Sequence, residues 1–134
     1  MMKQLLAPTL TAFLLATSAQ AGAPLSGEAF DDYSLGKTLY FGLGGTPYGA
    51  EEYLPNRRVR WSFLDGHCKE GRWYQEGAQI CFVYENNPDP QCWTFSKGGR
   101  GLVATYENDT SSTTLYEVEQ SSEPMICLGP EVGV

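Results

Sequence analysis

The stretch ICFVYENNPDPQCWTF, residues 80–95, constrains the fold more than any other part of the chain. Two runs rich in β-branched and aromatic residues flank ENNPDP, a cluster of turn formers. A hairpin centred between Asn86 and Asn87 sets Cys81 opposite Cys92. Directly opposed residues have Cβ atoms roughly 4.5–5.5 Å apart, and the closer pairs come within bridging range. In that register Ile80, Phe82 and Tyr84 share a face with Trp93 and Phe95, so this face is core. The two cysteines then lie on the other face with Val83.

Whether those thiols oxidise depends on where the chain goes. It begins MMKQLLAPTLTAFLLATSAQAGAP. Lys3 precedes an apolar run from Leu5 to Ala16, and Ala19-Gln20-Ala21 follows with the small-x-small pattern of a signal-peptidase site. The run is shorter than the ~20 residues that a helix needs to cross a bilayer core of ~30 Å. Residues 1–21 therefore read as a signal peptide. Residues 22–134 read as a single disulfide-stapled domain, exported to the periplasm or secreted, with no membrane anchor in the mature chain.

All four cysteines, Cys68, Cys81, Cys92 and Cys127, fall in that mature part. An even count in a small exported domain reads as two disulfides, with three pairings open. The hairpin favours Cys81–Cys92, which leaves Cys68 for Cys127. Cys68 stands beside His67, the single histidine of the chain. One histidine and widely spaced cysteines do not make a zinc site. His67 follows Asp65-Gly66, a two-residue hairpin signal, and reads as a solvated turn residue. No catalytic residue and no metal or cofactor is assigned.

The remaining segments alternate as antiparallel strands. RRVRWSFLDG sets Val59, Trp61 and Phe63 against Arg58, Arg60 and Ser62. HCKEGRWYQEG returns, with Gly71 interrupting the pattern before Trp73 as a bulge would. GKTLYFG, GLVATYE and TTLYEVEQ supply further strands. The fold class is all-β: an antiparallel meander of about seven or eight short strands forming a small barrel or curved sheet. One short N-terminal helix is expected in LSGEAFDDYSLG, with Ser26 as cap and Gly36 as stop. Its Leu25, Phe30, Tyr33 and Leu35 are placed to cover one barrel end.

Several look-alikes carry little. GKT lacks the earlier glycine of a phosphate loop, and GLGG is not followed by a helix. Arg58 and Arg60 read as a solvated face, with contact to a small anion as the functional option. Nothing sets two of Asp65, Glu70 and Glu76 across a cleft. NDT at Asn108–Thr110 is a glycosylation sequon. The formal net charge of −7 argues against nucleic acid and against anionic membrane surfaces, which call for basic patches.

Taken together, GKTLYF, DGHCKEGRWYQEG, ICFVYE and the following CW resemble small exported proteins of alphaproteobacteria that are mostly uncharacterised, marked by a G-x-W strand and an ICF…CW pair. The resemblance implies a periplasmic β domain and transfers no catalytic residue. Gly71-Arg72-Trp73 is also similar to the G-x-W element of lipocalin and avidin barrels. The expected function is an exported, non-catalytic binding module for a small ligand or a cell-envelope protein. The alternative is a periplasmic enzyme whose site only the fold assembles. A cavity lined by Trp61, Trp73 and Tyr40 would speak for a small ligand; a filled interior with an exposed loop patch would speak for a protein partner. N-terminal sequencing of protein from an extracytoplasmic fraction is expected to begin at Gly22; an intact Met1 in a cytosolic fraction would contradict this reading.

Overall fold

The computed structural model describes residues 11–13 and 22–128. The predicted cleavage site and the tail after Leu128 lie outside the described residues. Eight strands follow one helix: α1 (Gly27–Ser34), β1 (Thr38–Gly42), β2 (Gly49–Leu54), β3 (Arg58–Ser62), β4 (Lys69–Glu76), β5 (Gln79–Tyr84), β6 (Asn87–Gly98), β7 (Gly101–Tyr106) and β8 (Thr114–Ser121). Each pairs antiparallel with the next, and β8 returns to β1 to close a barrel. Closure leaves no unpaired sheet edge. No helix among the described residues is long and apolar enough to cross a membrane.

The hairpin of β5 and β6 has the expected register at its cysteines, Ile80 facing Trp93 and Cys81 facing Cys92. Nearer the tip the register shifts between Phe82 and Tyr84, and Tyr84 faces Asn87. The turn is therefore Glu85–Asn86, with Asn86 in the left-handed region (φ 64°), a conformation asparagine tolerates. Both disulfides are formed as the sequence reading favoured, Cys81–Cys92 and Cys68–Cys127.

Three local expectations change. Gly71 makes no bulge, since the pairing of β4 with β3 and β5 runs through it without a shift. It is instead a place of close approach: a Cβ there would stand 2.7 Å from the Tyr84 ring and from the Val83 carbonyl. Asp65-Gly66 is not a two-residue turn. The last pair is Trp61 with Lys69, so the connection is a wider loop, with Leu64 (φ 63°) and Gly66 (φ 89°) both left-handed. The third change is Leu35, which lies outside the helix plug at 47% exposure.

The rest of the helix covers the barrel end as anticipated. The Ser26 hydroxyl accepts from the Ala29 N–H at 3.1 Å, a side-chain N-cap. Phe30 is fully buried inside the barrel. Its ring meets Trp73 edge-on at 5.0 Å, Tyr53 at 5.4 Å and Phe95 tilted at 4.6 Å. The Gly27 N–H donates to Gln75 (2.7 Å) and the Leu25 N–H to the Phe95 carbonyl (2.6 Å), which seats the helix on β4 and β6.

A second covering lies on the outer wall. Thr38 and Glu52 point out of the barrel yet are 1% and 8% exposed. The chain after β8 crosses them. The Thr38 hydroxyl donates to the Glu123 carbonyl (2.9 Å), and the Met125 N–H donates to Glu52 (3.2 Å). The Leu128 N–H then donates to the Gly66 carbonyl, beside the Cys68–Cys127 bridge. This bridge spans 59 residues against 11 for Cys81–Cys92. By chain entropy the longer loop contributes ~4 kcal/mol and the shorter ~3 kcal/mol. Urea unfolding of the Cys68→Ala/Cys127→Ala and Cys81→Ala/Cys92→Ala proteins is expected to show both losses, the first larger. The reverse order would mean that the outer segment contributes little.

Candidate functional site

The helix fills only one half of the barrel. At the opposite end, between the β1–β2 and β3–β4 loops and the β5–β6 turn, the interior opens as a cavity of about 120 Å³. Its deep wall is Phe41, Tyr53, Phe82, Phe95, Ala104 and Leu115. Closer to the mouth stand Tyr48, Trp61, Phe63 and Trp93, with Lys69, Asn87 and Gln91 as polar lining. Among these groups lies one carboxyl, Glu51, only 2% exposed.

Strand alternation explains why a glutamate points inward. Glu51 pairs with Leu39 on one side and Trp61 on the other; Tyr53 pairs with Val59. All of these share the inner face, while Glu52 takes the outer one. Tyr84 reaches across from β5, and its hydroxyl donates to Glu51 Oε1 at 2.7 Å. That reach depends on Gly71, whose missing side chain leaves room for the Tyr84 ring. Gly49 does the same for Trp61, because a Cβ there would overlap the indole. Among the described residues no protein group donates to the other oxygen, Glu51 Oε2.

Burial disfavours the charged form of a carboxyl. Here it pushes Glu51 from the ordinary 4.5 up to about 8, against the opposing pull of the Tyr84 hydrogen bond. Burial also raises Tyr84 and Tyr53 well above the usual phenol range, with the Glu51 charge adding to it. Tyr48 is raised by burial alone. At neutral pH the cavity thus holds a mostly neutral carboxyl and three protonated phenols.

The other interior carboxyl behaves differently. Glu117 on β8 is 4% exposed, but the Tyr33 hydroxyl lies 2.9 Å from both its oxygens and the Gln120 amide 3.5 Å from one. Burial and this carboxylate together push Tyr33 up to about 12. Glu117 is a satisfied anchor for the helix; Glu51 keeps one oxygen without a partner among the described residues.

Of the three aromatic residues expected around a ligand, the structure brings only Trp61 to the cavity. Trp73 is buried below it, against Phe30 and under the Arg57 guanidinium, 4.5 Å from its ring centroid. Tyr40 stands between the buried Leu39 and Phe41 on β1, is half-buried, and does not line the cavity. His67 is exposed in the β3–β4 loop, where its backbone N–H donates to the Asp65 carboxylate (3.0 Å). Arg60 is occupied by Glu70 (2.7 Å) and Glu52 (3.6 Å), so its charge is spent within the wall. Asn108 of the sequon is tied to β6, accepting from the Cys92 N–H (2.7 Å) and donating to the Pro90 carbonyl (2.8 Å).

Glu51 itself is absent from the sequence reading, because GAEEYL was not read as a strand. Two successive glutamates between glycine and proline disfavour a strand by propensity. Alternation gives no signal either, since Glu51 shares its face with Tyr53 and Glu52 shares the other with Ala50. Comparison with family models, curated proteins and solved structures gave no match for this chain.

The Glu51 environment has a measurable consequence. The folded protein holds the Glu51 proton more tightly than the unfolded chain does. Raising the pH from about 4.5 to about 8 therefore favours unfolding, by at most ~1.4 kcal/mol per pH unit from this group. Glu51→Gln is expected to remove that slope and to leave the protein more stable than wild type at about pH 8. Urea unfolding of both proteins at several pH values checks this; parallel pH profiles would show that Glu51 is not buried as described.

Proposed function

We propose that this chain is a non-catalytic binding module that holds a small ligand in the open half of its barrel. The observation that carries the reading is Glu51 Oε2, a buried polar atom in an aromatic cavity with no donor among the described residues. A protein seldom buries such an atom without a partner, because the lost solvation costs about 1–3 kcal/mol. A mostly apolar pocket with a few convergent polar groups is the usual form of a small-molecule site. The volume of about 120 Å³ is near the ~150 Å³ that accommodates benzene in an apolar protein cavity. It suits a ligand head of a few heavy atoms, with any remainder extending past Phe63 and Lys69. Two disulfides fit a working place in the oxidising periplasm or outside the cell.

A second reading has its own support. A carboxyl held near about 8 beside a phenol can exchange a proton with a bound molecule near neutral pH, which is the requirement for general acid–base chemistry. Binding is preferred because the hydrogen-bond partner of the carboxyl among the described residues, Tyr84, is itself held protonated and is no ready nucleophile.

Titration of the oxidised protein with a panel of small amines, alcohols, acids and ring compounds tests the proposal through tryptophan fluorescence and thermal shift. At least one class is expected to saturate, and a ligand at 100 times its Kd adds about 2.7 kcal/mol of stability. Filling the cavity by Ala104→Phe is expected to abolish that response. Proton NMR of the same mixtures distinguishes the second reading by turnover. No saturable response across the panel, or a response unaltered in the filled variant, would count against a site inside the barrel.

A further inference from the structure

We propose that the cavity takes a small organic cation, an alkylammonium or quaternary ammonium head seated against the free oxygen of Glu51 and enclosed by aromatic rings. The inference rests on the ligand-binding reading and names the chemistry of that same site. The first support is polarity. Tyr84 already occupies Oε1, so once the carboxyl is ionised Oε2 is open to a donor or a positive charge that enters from the cavity.

The second support is the wall around it. Trp61 is the direct cross-strand neighbour of Glu51. The Phe63 ring stands 5.4 Å from Trp61 and almost perpendicular to it (87°), and Tyr48 lies 6.1 Å from Trp61 and 6.2 Å from Phe63. All three rings line the cavity, so the wall beside Glu51 is aromatic. An aromatic lining attracts cations through its ring faces and gives little to an anion. Phe63 and Tyr48 are 53% and 43% exposed, so the apolar rim is reached from solvent.

The third support is the distribution of charge. The titratable groups that share the cavity with Glu51 are Tyr53 on its own strand, Tyr84 on β5, Tyr48 in the β1–β2 loop and Lys69 on β4; Glu117 on β8 acts on Tyr53 from the plugged end. The three phenols remain neutral donors. Lys69 is the one cation among the described lining residues, and its Nζ rests 5.6 Å from the Phe63 ring centroid. An ammonium head therefore favours the inner, Glu51 side, and an acidic group elsewhere on a ligand would meet Lys69.

Binding a cation converts the neutral carboxyl of Glu51 to a carboxylate and sends one proton to solvent. Roughly one Glu51 in a hundred is ionised at about pH 6 and roughly half at about pH 8, so affinity rises roughly fiftyfold between them. Calorimetric titration over that range, in two buffers of different protonation enthalpy, tests this. The probes are choline, its uncharged analogue with carbon in place of the quaternary nitrogen, n-butylamine and n-butanol. The cations are expected to bind at least about tenfold more tightly than their neutral partners at about pH 8, choline with up to one proton released at lower pH. Glu51→Gln is expected to abolish both the proton release and the pH dependence. The cation-to-neutral ratio and the proton count are read on the unaltered protein and stand even where the variant does not fold. Neutral probes binding as tightly, without proton release, would overturn the cation while leaving a ligand site in place. Failure of these probes and of the whole panel would overturn both.

Discussion

The interior of a closed eight-stranded barrel is just wide enough for side chains to fill, and the rest of this structure depends on how Phe30 fills it. One aromatic ring, supplied by the helix and not by the sheet, occupies the axis at one end. Tyr53, Trp73, Phe82 and Phe95 surround it, with ring centroids 4.6–6.3 Å away. Truncating a buried phenylalanine of this kind costs roughly 3–5 kcal/mol. Because the plug consumes one half of the interior, the side chains of the other half have no matching insert, and the cavity is what remains.

Into that remaining space the barrel points a carboxyl that would be more stable elsewhere. Two glycines make the arrangement fit: Gly71 clears the path of Tyr84 and Gly49 the path of Trp61. The contrast with Glu117 is informative, since a few strands away the same fold gives a buried carboxyl two side-chain donors, the Tyr33 hydroxyl and the Gln120 amide. Such local conflict between stability and side-chain choice is concentrated at functional sites more often than in structural cores. The staple of Cys68 to Cys127 offsets part of it, and it also anchors the outer segment to the β3–β4 loop that carries Phe63 to the mouth.

Much of the scaffold was legible along the chain because it arises from local rules. Ser26 caps the helix as its side chain allows, Cys81 meets Cys92 because the hairpin register demands it, and Val59 and Trp61 turn inward by simple alternation. Trp73 and Tyr40 show the limit. A large aromatic residue on a strand can face a core, a cavity or the outside, and alternation names the face without saying which part of the interior is already full. Phe30 fills the space beside Trp73 and so makes it core; Tyr40 falls on the half-buried outer side of β1.

The sequence by itself determined the all-β class, the capped helix, the hairpin at Cys81–Cys92 and, by elimination, the second bridge. The first three follow from contacts between near neighbours or from pairing rules that act at short range; the second bridge follows only because two cysteines are left over. Only the tertiary structure decided that β8 closes on β1, that GAEEYL becomes a strand despite its glutamates, and that Glu51 meets Tyr84 from 33 residues away. Pairing with β1 on one side and β3 on the other overrides the weak propensity of β2. Burial, which is a property of the closed interior and of no single segment, raises the affinity of Glu51 for its proton and turns an ordinary acidic residue into the candidate site.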